Sequence, residues 1–332
     1  MKKRTALTAA VILTAALLTS GCDNIVLVPG KSSGTITEAS SAPSEPLSAY
    51  PVVLNDTEIA KTPEKIVSLT PAYTEILFEM GYGDRIVAVS DYCNYPEAVE
   101  KLPKAASSAN PDISAIKKLK PDLVITATPI VTKDKITLEA EGIKVLTITS
   151  PRTIEEFENI YKFFGLAFEG LFEGEAVGEK AFSDIRKQLD AIKKTDLKFV
   201  YITAASTPAG GDTFESAILS LFGTNCAKDS EGYSYKAENL KENQPDIIFV
   251  SDSLGEDILT SNKNYSSLTA VESGNTAVLE NKYFERPSAR ITSLLGDISA
   301  AFDKAAKPEE KPDESSGGES SEITSANEPD EE

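Results

Sequence analysis

Short aliphatic runs alternate with helical stretches through most of the chain, and this alternation restricts the fold to the α/β class. Runs rich in Val, Ile and Leu are typical of parallel strands that are buried on both faces. The pattern predicts a first α/β lobe over residues 51–151, with intervening helices at 74–80 and 113–118. Its predicted strands lie at 65–69, 85–89, 122–125 and 144–148.

The same alternation recurs later and predicts a second α/β lobe over residues 196–304, with helices at 215–222 and 291–302. Residues 119–125 (LKPDLVI) and 243–249 (NQPDIIF) also resemble each other. In both, a proline ends a helix and the next residues enter a buried strand. We interpret this as a repeated architecture, with chance likeness of two common turns as the alternative. The predicted strands of this lobe lie at 198–203, 246–251 and 276–279.

Residues 152–195 are predicted to connect the lobes through a single long helix at 172–194. Apolar residues recur there at spacings of three to four, which indicates an amphipathic helix. Its 23 residues extend about 35 Å at the usual helical rise. A stiff helix that joins two α/β lobes predicts a cleft between them, and ligands bind in such clefts at the carboxyl ends of strands.

The amino-terminal segment has the features of an export signal. Basic residues at 2–4 precede an apolar run at 6–18 that is too short to span a bilayer stably. The run ends in LTSGC at 18–22, which resembles the bacterial lipobox, with threonine where the box usually has leucine. We predict a lipoprotein signal peptide over 1–21 and lipidation of Cys22; an ordinary cysteine is the alternative.

The segments that flank the folded part are polar. Residues 22–50 are rich in Ser, Pro, Gly and Ala, which predicts a flexible tether, and the acidic residues 305–332 predict a disordered tail. With Cys22 lipidated, the protein is expected outside the cytoplasm, anchored to the membrane. The formal net charge of -19 argues against a nucleic-acid partner.

The chain contains no histidine, which removes the commonest general base and the commonest metal ligand. Cys93 and Cys226 therefore lack the partner that a cysteine nucleophile needs, and the Gly210-Gly211 pair is not part of a dinucleotide-binding motif. We predict no enzyme activity, no catalytic residue, no metal site and no cofactor. The two cysteines fall in different lobes, where we predict separate thiols, because a disulfide would lock the hinge.

Four motifs, in order along the chain, resemble the cobalamin and ferrisiderophore binding proteins of ATP-binding-cassette (ABC) importers. They are IVSLTPAYTEIL at 66–77, VSDYCNYP at 89–96, LKPDLVI at 119–125 and YFERPSARI at 283–291. The resemblance covers about residues 51–303. It implies two lobes bridged by a rigid helix, a shallow cleft for a bulky small-molecule ligand and a small closing motion. It also implies a monomer that works with an ABC permease and its ATPase.

The resemblance also assigns residues to the cleft. In the family, the loops after the first and second strands approach the ligand, and the YFERPSARI motif points toward it from the other lobe. Tyrosine can pack on a macrocycle and bond to its rim, and arginine can engage an amide, a carboxylate or a phosphate. Loop packing of the tyrosines and pairing of the arginine with Glu285 are the alternatives. The ligand-binding residues carried over are Pro71, Ala72, Tyr73, Tyr92 and Arg286.

Departures from the family pattern bear on the identity of the ligand. Ser108 and Ala127 stand where the cobalamin binders have tryptophans, and Thr207 belongs to a small, polar loop of the second lobe. We add these three residues to the predicted site and expect a corrinoid ligand. A ferrisiderophore, or haem held by a tyrosine because histidine is absent, is an alternative. A lipoprotein that senses or scaffolds without transport is another.

The family also implies how the protein docks on its permease, through one acidic residue on each lobe that meets arginines. Glu238 matches the position in the second lobe. The matching position in the first lobe is Ser114, and Asp112 is the nearest carboxylate. We predict docking through Glu238 and Asp112, with an ordinary solvated charge as the alternative for Glu238.

Overall fold

The structure, a computed structural model, describes residues 48–307. The predicted signal peptide, Cys22, most of the predicted tether and residues 308–332 of the predicted acidic tail lie outside this range. Within the described range, no helix combines the length and the apolar character needed to cross a membrane.

The first lobe is built on a four-stranded parallel sheet, and the strands predicted for it are confirmed. The two central strands bury every residue, as expected when helices cover both faces of a sheet. An unpredicted antiparallel hairpin precedes the sheet, and the Thr57 hydroxyl fastens it by donating to the Val145 carbonyl (2.8 Å). The elements are β1 (Val52–Leu54), β2 (Thr57–Ile59), β3 (Ile66–Ser68), α1 (Pro71–Glu79), β4 (Ile86–Val89), α2 (Ile113–Leu119), β5 (Leu123–Thr126), α3 (Thr132–Glu139) and β6 (Lys144–Thr147), with short 3₁₀ turns at Gly83–Arg85 and Glu97–Lys101, and the sheet order is β4-β3-β5-β6.

A long helical segment, α4 (Ile154–Asp190), connects the lobes, as the predicted fold class requires. It begins with a capped turn, in which the Thr153 hydroxyl accepts the N–H of Glu156 (3.0 Å). The backbone turns at Gly170, whose φ of 76° lies in the left-handed region that favours glycine. The predicted helix at 172–194 corresponds to the part of α4 after this turn.

The parts of α4 before and after the turn run antiparallel, side by side. Lys162 pairs with Glu179 (2.8 Å), and the rings of Phe157 and Phe182 meet edge to face at 5.1 Å. Glycine makes the close approach possible, because a Cβ on Gly178 would collide with the backbone of Lys162. The connection between the lobes is therefore stiffened by an additional layer of helix.

The second lobe repeats the architecture of the first, and the strands predicted for it are confirmed. A further strand of two residues was not predicted, because it is too short to show a period. When the strands of each lobe are numbered in their own chain order, both sheets have the order 2-1-3-4. The elements are β7 (Lys198–Ile202), α5 (Phe214–Leu219), β8 (Thr224–Asn225), β9 (Ile247–Ser251), α6 (Asp257–Ser261), α7 (Thr269–Glu272), β10 (Thr276–Leu279), α8 (Lys282–Glu285) and α9 (Leu295–Ala305), with 3₁₀ turns at Ala237–Lys241 and Ala289–Leu294, and the sheet order is β10-β9-β7-β8.

The LKPDLVI and NQPDIIF segments play the same part in the two lobes. The carboxylate of Asp122 accepts the N–H groups of Glu64 (2.8 Å) and Lys65 (3.0 Å), just before β3. The carboxylate of Asp246 accepts the N–H of Lys198 (2.7 Å), the first residue of β7. Each aspartate fixes the start of the neighbouring strand, which favours a repeated architecture over a chance likeness.

One apolar core passes from the first lobe through α4 into the second. Phe164 of α4 meets Tyr73 of the first lobe edge to face, with ring centroids 5.6 Å apart. Phe157 of α4 meets Phe214 of the second lobe in the same way at 5.4 Å. Because the core is continuous, large independent movements of the lobes would break well-packed contacts.

Candidate ligand-binding site between the lobes

The predicted loop after β3 is short, because α1 begins at Pro71 close behind the strand. Proline is favoured in the first turn of a helix, where its missing N–H is not needed. Pro71, Ala72 and Tyr73 therefore form a helical turn, which corrects their prediction as loop residues. Pro71 is half-buried and Ala72 is buried. The Thr70 hydroxyl accepts the N–H of Ala127 (2.8 Å), so the end of β5 lies beside the start of α1.

Tyr73 lies in the core and not at the surface of the cleft. Its side chain is 1% exposed, its ring packs on Phe164, and its hydroxyl donates to the carbonyl of Ile148 (2.5 Å). Burial raises the pKa of this phenol well above its usual range. The structure corrects the predicted role: Tyr73 anchors α1 to the end of β6 instead of facing a ligand.

Three other predicted residues lie in loops that follow strands. Tyr92 follows β4 and is 65% exposed. Ser108 is half-buried, in a segment held to the same loop because the N–H of Asp91 donates to the carbonyl of Ala106 (2.9 Å). Thr207 is half-buried in the loop after β7. The structure thus places each of them at the carboxyl edge of its own sheet.

Arg286 reaches across from the second lobe to the first. Its guanidinium donates to the Asn94 side-chain oxygen (2.5 Å), in the loop that also carries Tyr92. Glu285, the alternative partner suggested by the sequence, accepts instead from the Asn281 amide (2.7 Å). Arg286 and the loop after β4 therefore share one region, as predicted.

Glu75 of α1 is an interlobe residue that the sequence did not single out. Although its side chain is 1% exposed, it accepts from the Ser288 hydroxyl (2.7 Å) and from the Arg290 guanidinium (2.9 Å), both in the second lobe. Burial raises the pKa of Glu75 above its ordinary value, against the opposing effects of Ser288, Arg290 and Arg286. A buried carboxylate is stable because these donors satisfy it.

Glu79 lies one helical turn further along and extends the same contact. It accepts from the hydroxyl of Tyr161 in α4 (2.6 Å) and from the N–H of Ala289 (3.2 Å). Although Glu79 is exposed, partial desolvation by the surrounding protein raises its pKa as well, again against its hydrogen bonds. The Arg290 guanidinium also lies over two rings, with its carbon 4.2 Å from the centroid of Tyr95 and 5.2 Å from that of Tyr283.

A cavity of about 390 Å³ opens where the end of the first lobe meets α5 and α8. Arg152 of the first lobe pairs with Asp212 of the second across it (3.2 Å). Tyr233 is 52% exposed and donates to Glu215 (3.1 Å), and burial raises its pKa to about 12, so it is a phenol at neutral pH. Of the residues that the structure describes, the eight predicted for ligand binding do not line this cavity. Its charged and aromatic lining consists of Arg152, Asp212, Phe214, Glu215, Tyr233, Phe284 and Glu285.

One sequence signal pointed weakly to this cavity. Gly210 and Gly211 precede Asp212, and a Cβ on either would collide with the backbone of the 228–232 segment. Glycine here permits two loops to pack backbone to backbone, which brings Tyr233 to the cavity. A glycine pair in a sequence can mark such a close approach, but it does not show which residues are brought together.

Cys93 and Cys226 are free and buried. The Cys93 sulfur lies 3.2 Å from the Thr74 hydroxyl and 3.3 Å from that of Ser90. Burial raises the pKa of Cys226 to about 11, which makes its thiol a poor nucleophile at neutral pH. Within residues 48–307, no group of three or more Cys, Asp or Glu side chains is arranged to hold a metal ion.

The two predicted docking residues differ in their surroundings. Asp112 caps α2, since one of its carboxylate oxygens accepts the N–H of Ala115 (2.9 Å). Glu238 is exposed in a 3₁₀ turn of the second lobe. Ser114 and Glu238 each precede by eight residues the aspartate that enters the third strand of its lobe, so the repeat supports their equivalence.

Comparison with known proteins gives a consistent result. The family model described as periplasmic binding protein matches residues 66–283, from β3 to α8. The uncharacterized ABC transporter substrate-binding lipoprotein YvrC of Bacillus subtilis is 29% identical over 326 residues, which cover 91% of this chain and 98% of that protein. The vitamin B12-binding protein of Vibrio campbellii is 27% identical over 271 residues, which cover 77% of this chain and 95% of that protein.

A solved structure is similar over the same part of the molecule. The crystal structure of the periplasmic vitamin B12 binding protein BtuF of Vibrio cholerae has a TM-score of 0.59 and 25% identity, and the match covers 74% of this chain and 99% of that one. The matched family region contains both sheets and α4, and it ends just before Arg286.

Proposed function

Because the chain belongs to the periplasmic binding protein family, we propose that it is the substrate-binding component of an ABC importer and that it captures a corrinoid. Family membership confirms the resemblance carried by the four motifs. Two relatives support the proposal, since one is named as an ABC transporter substrate-binding lipoprotein and the other as a vitamin B12-binding protein. On this proposal the chain is not an enzyme; it binds its cargo and releases it unchanged to a permease and its ATPase.

The ligand proposal rests mainly on the contact between Arg286 and the loop after β4. That loop exposes two tyrosine rings, Tyr92 at 65% and Tyr95 at 45%. Flat aromatic faces suit a macrocycle, and a guanidinium offers several N–H donors to carbonyl or phosphate oxygens at its rim. The present partner of Arg286 is the neutral amide of Asn94, which a ligand oxygen can replace.

The contacts that fix the loops and the two lobes determine how the ligand is captured. The loops of the first lobe are fixed to its sheet, and the second lobe is fastened to α1 through Ser288 and Arg290. With the lobes joined by a continuous core, the ligand is expected to enter between prearranged loops, with a small closing movement. Prearranged loops lose little conformational entropy on binding, which favours affinity.

A titration of the full-length chain in detergent with dicyanocobinamide tests the ligand. We expect saturable binding by calorimetry, and we expect Arg286→Ala to weaken it by at least about tenfold, or about 1.4 kcal/mol. Lys118→Ala, on the exposed face of α2, is the control and should leave the affinity unchanged. Absence of heat with cobinamide and cobalamin, together with clear binding of an iron chelate, would reject the corrinoid.

The same proposal includes a lipid anchor at Cys22 and a position outside the cytoplasm. The lipoprotein name of the Bacillus subtilis relative, which the match covers over 98% of its length, supports the anchor. Cys22→Ala should move the protein from the membrane fraction to the soluble fraction after export. Equal membrane retention of the two forms would argue against lipidation at this residue.

Docking on the permease is proposed to use Glu238, which is exposed, more than Asp112, which is engaged as a helix cap. Glu238→Ala should preserve ligand affinity and reduce uptake by cells that express the importer. The matched control is Glu173→Ala, an exposed carboxylate of α4. Unchanged uptake with the Glu238 variant would remove this residue from the docking surface.

A further inference from the structure

The cavity between the lobes carries more negative than positive charge. Its one basic lining residue, Arg152, is paired with Asp212 within the cavity (3.2 Å). The other two carboxylates have neutral partners: Glu215 accepts from the Tyr233 hydroxyl (3.1 Å), and Glu285 accepts from an amide (2.7 Å). Two acceptor carboxylates therefore face the cavity without a neutralising cation among its lining residues, all of which lie in the described part of the chain.

We propose that the part of the ligand that faces this cavity carries amide or ammonium N–H groups and no carboxylate. The inference rests on the proposed function and extends the proposed site to the cavity next to Arg286, whose chain neighbours Glu285 and Pro287 line it. Ionised carboxylates are acceptors only, so they bind N–H donors and repel further carboxylates. Once bulk water is displaced from the space between the lobes, that repulsion is stronger than in solution.

Arg286 and the carboxylates of the cavity then select for opposite chemistry. Arg286 offers donors, whereas Glu215 and Glu285 offer acceptors. A ring with carboxamide arms satisfies both, because each arm supplies a carbonyl oxygen and an N–H group. A macrocycle whose polar edge consists of carboxylates matches the arginine and is repelled by the cavity. The charges thus favour a corrinoid with amidated arms over haem.

Two corrinoids with the same ring test this selection. Dicyanocobinamide has carboxamide arms, and dicyanocobyrinic acid has carboxylates in their place. We expect calorimetry on the full-length chain to show at least about tenfold tighter binding of cobinamide. In the double variant Glu215→Gln and Glu285→Gln, the ratio of the two affinities should fall toward one. Added salt should also reduce the ratio in the parent protein.

A control variant distinguishes the effect of the cavity carboxylates on the affinity ratio from that of the net negative charge of the chain. Glu173→Gln with Glu179→Gln removes the same two charges from exposed positions on α4 and should leave the ratio unchanged. Equal affinity of the parent for the two corrinoids would overturn the charge selection while the corrinoid proposal stands. A control variant that lowers the ratio as much as the cavity variant would also overturn it.

Failure of the proposed ligand gives a different result. If neither corrinoid binds, the corrinoid proposal is rejected, and the charge selection is tested with two iron complexes. Ferrioxamine B carries an ammonium group, and ferric citrate carries carboxylates. Tighter binding of ferrioxamine B supports the selection by the cavity, and equal or weaker binding overturns it.

Discussion

The first lobe meets the second through α1, which carries the buried carboxylate of Glu75 and the exposed carboxylate of Glu79, whereas the second lobe meets the first through residues 286–290, which carry two arginines. The sheets beneath these contacts have the same strand order. The repeat therefore extends to the scaffold and not to the contact surfaces. In the contact between α1 and residues 286–290, the acceptors lie on the first lobe and the donors on the second, so each lobe completes the hydrogen bonds of its partner.

The difference between the lobes shows which parts of a repeated fold are free to diverge. Asp122 and Asp246 accept N–H groups at the starts of β3 and β7. They stabilise the sheets themselves, and one is found in each lobe. The residues at the carboxyl edges serve the neighbouring lobe and the ligand, and they differ. We expect substitutions of the aspartates to affect stability in the same way in the two lobes. Substitutions at the carboxyl edges are expected to have different effects in the two lobes.

The largest loss of stability is expected when one partner of the Glu75–Arg290 ion pair between the lobes is removed. Arg290→Ala leaves the carboxylate of Glu75 buried without its ion pair, and removal of one partner of a buried pair costs about 3–5 kcal/mol. The free energy of unfolding from urea titrations measures the loss. Glu75→Gln added to Arg290→Ala should recover part of it, because a neutral amide is less costly to bury than a carboxylate.

An exposed pair provides the control for this prediction. Lys187 and Asp184 are 2.8 Å apart, with side chains 73% and 85% exposed. Lys187→Ala should cost about 0.5 kcal/mol or less, as is usual for a solvated pair on a helix. The interlobe contact would not be a major source of stability if Arg290→Ala cost no more than this control.

A second effect tests the similarity of the lobes. Asp122 binds two N–H groups through both carboxylate oxygens, and Asp246 binds one through a single oxygen. We expect Asp122→Ala to cost about 2 kcal/mol and Asp246→Ala about 1 kcal/mol. Replacement by asparagine, which keeps one acceptor, should restore most of the stability at 246 and about half at 122. Equal rescue at the two positions would contradict the hydrogen bonding described here.

A third effect concerns pH and belongs to the first lobe. The raised pKa of Glu79 means that the folded chain holds this proton more tightly than the unfolded chain does. Its contribution to stability is full below the ordinary value of 4.5 and is lost as the pH rises through the raised pKa. Glu79→Gln should therefore make the decline in unfolding free energy above pH 4.5 less steep, by a small amount because the side chain is exposed to solvent.

Asp56 is the control of opposite sign. Its hydrogen bond to Lys135 lowers the pKa of Asp56 below 3.8, so its contribution is present above that pH and is lost only in stronger acid. Asp56→Asn should leave the slope between about pH 5 and about pH 7 unchanged. A Glu79→Gln variant with the slope of the parent would show that this carboxyl does not titrate in that interval.

The fold was largely predictable because short runs of aliphatic residues identify buried strands from the local sequence alone. The hairpin of β1 and β2 was missed, although Asn55 and Asp56 between alternating apolar residues are a turn signal. The part of α4 before Gly170 was missed, because the predicted helix at 172–194 already accounted for the connection between the lobes. Helical periodicity indicates a helix but not that the chain folds back within it.

The site was less predictable, because its geometry depends on residues far apart in sequence. The sequence suggests Tyr73 as a ligand contact, but in the structure its hydroxyl donates a hydrogen bond to the carbonyl of Ile148, 75 residues away. Glu75 reads as a solvated charge until Ser288 and Arg290, 213 and 215 residues away, are seen beside it. The family resemblance suggested that Arg286 points toward the other lobe, but local patterns carry no information about such pairings.

The smallest expected effect compares the two rings around Arg290, one from each lobe. The guanidinium carbon lies 4.2 Å from the centroid of Tyr95 in the first lobe and 5.2 Å from that of Tyr283 in the second. Attraction between a cation and a ring falls with distance, so Tyr95→Leu should cost about 0.5–1 kcal/mol and Tyr283→Leu less. Tyr95→Phe keeps the ring and should cost little by the same urea titration. If the phenylalanine variant lost as much stability as the leucine variant, the hydroxyl and not the ring face would be what the first lobe contributes to Arg290.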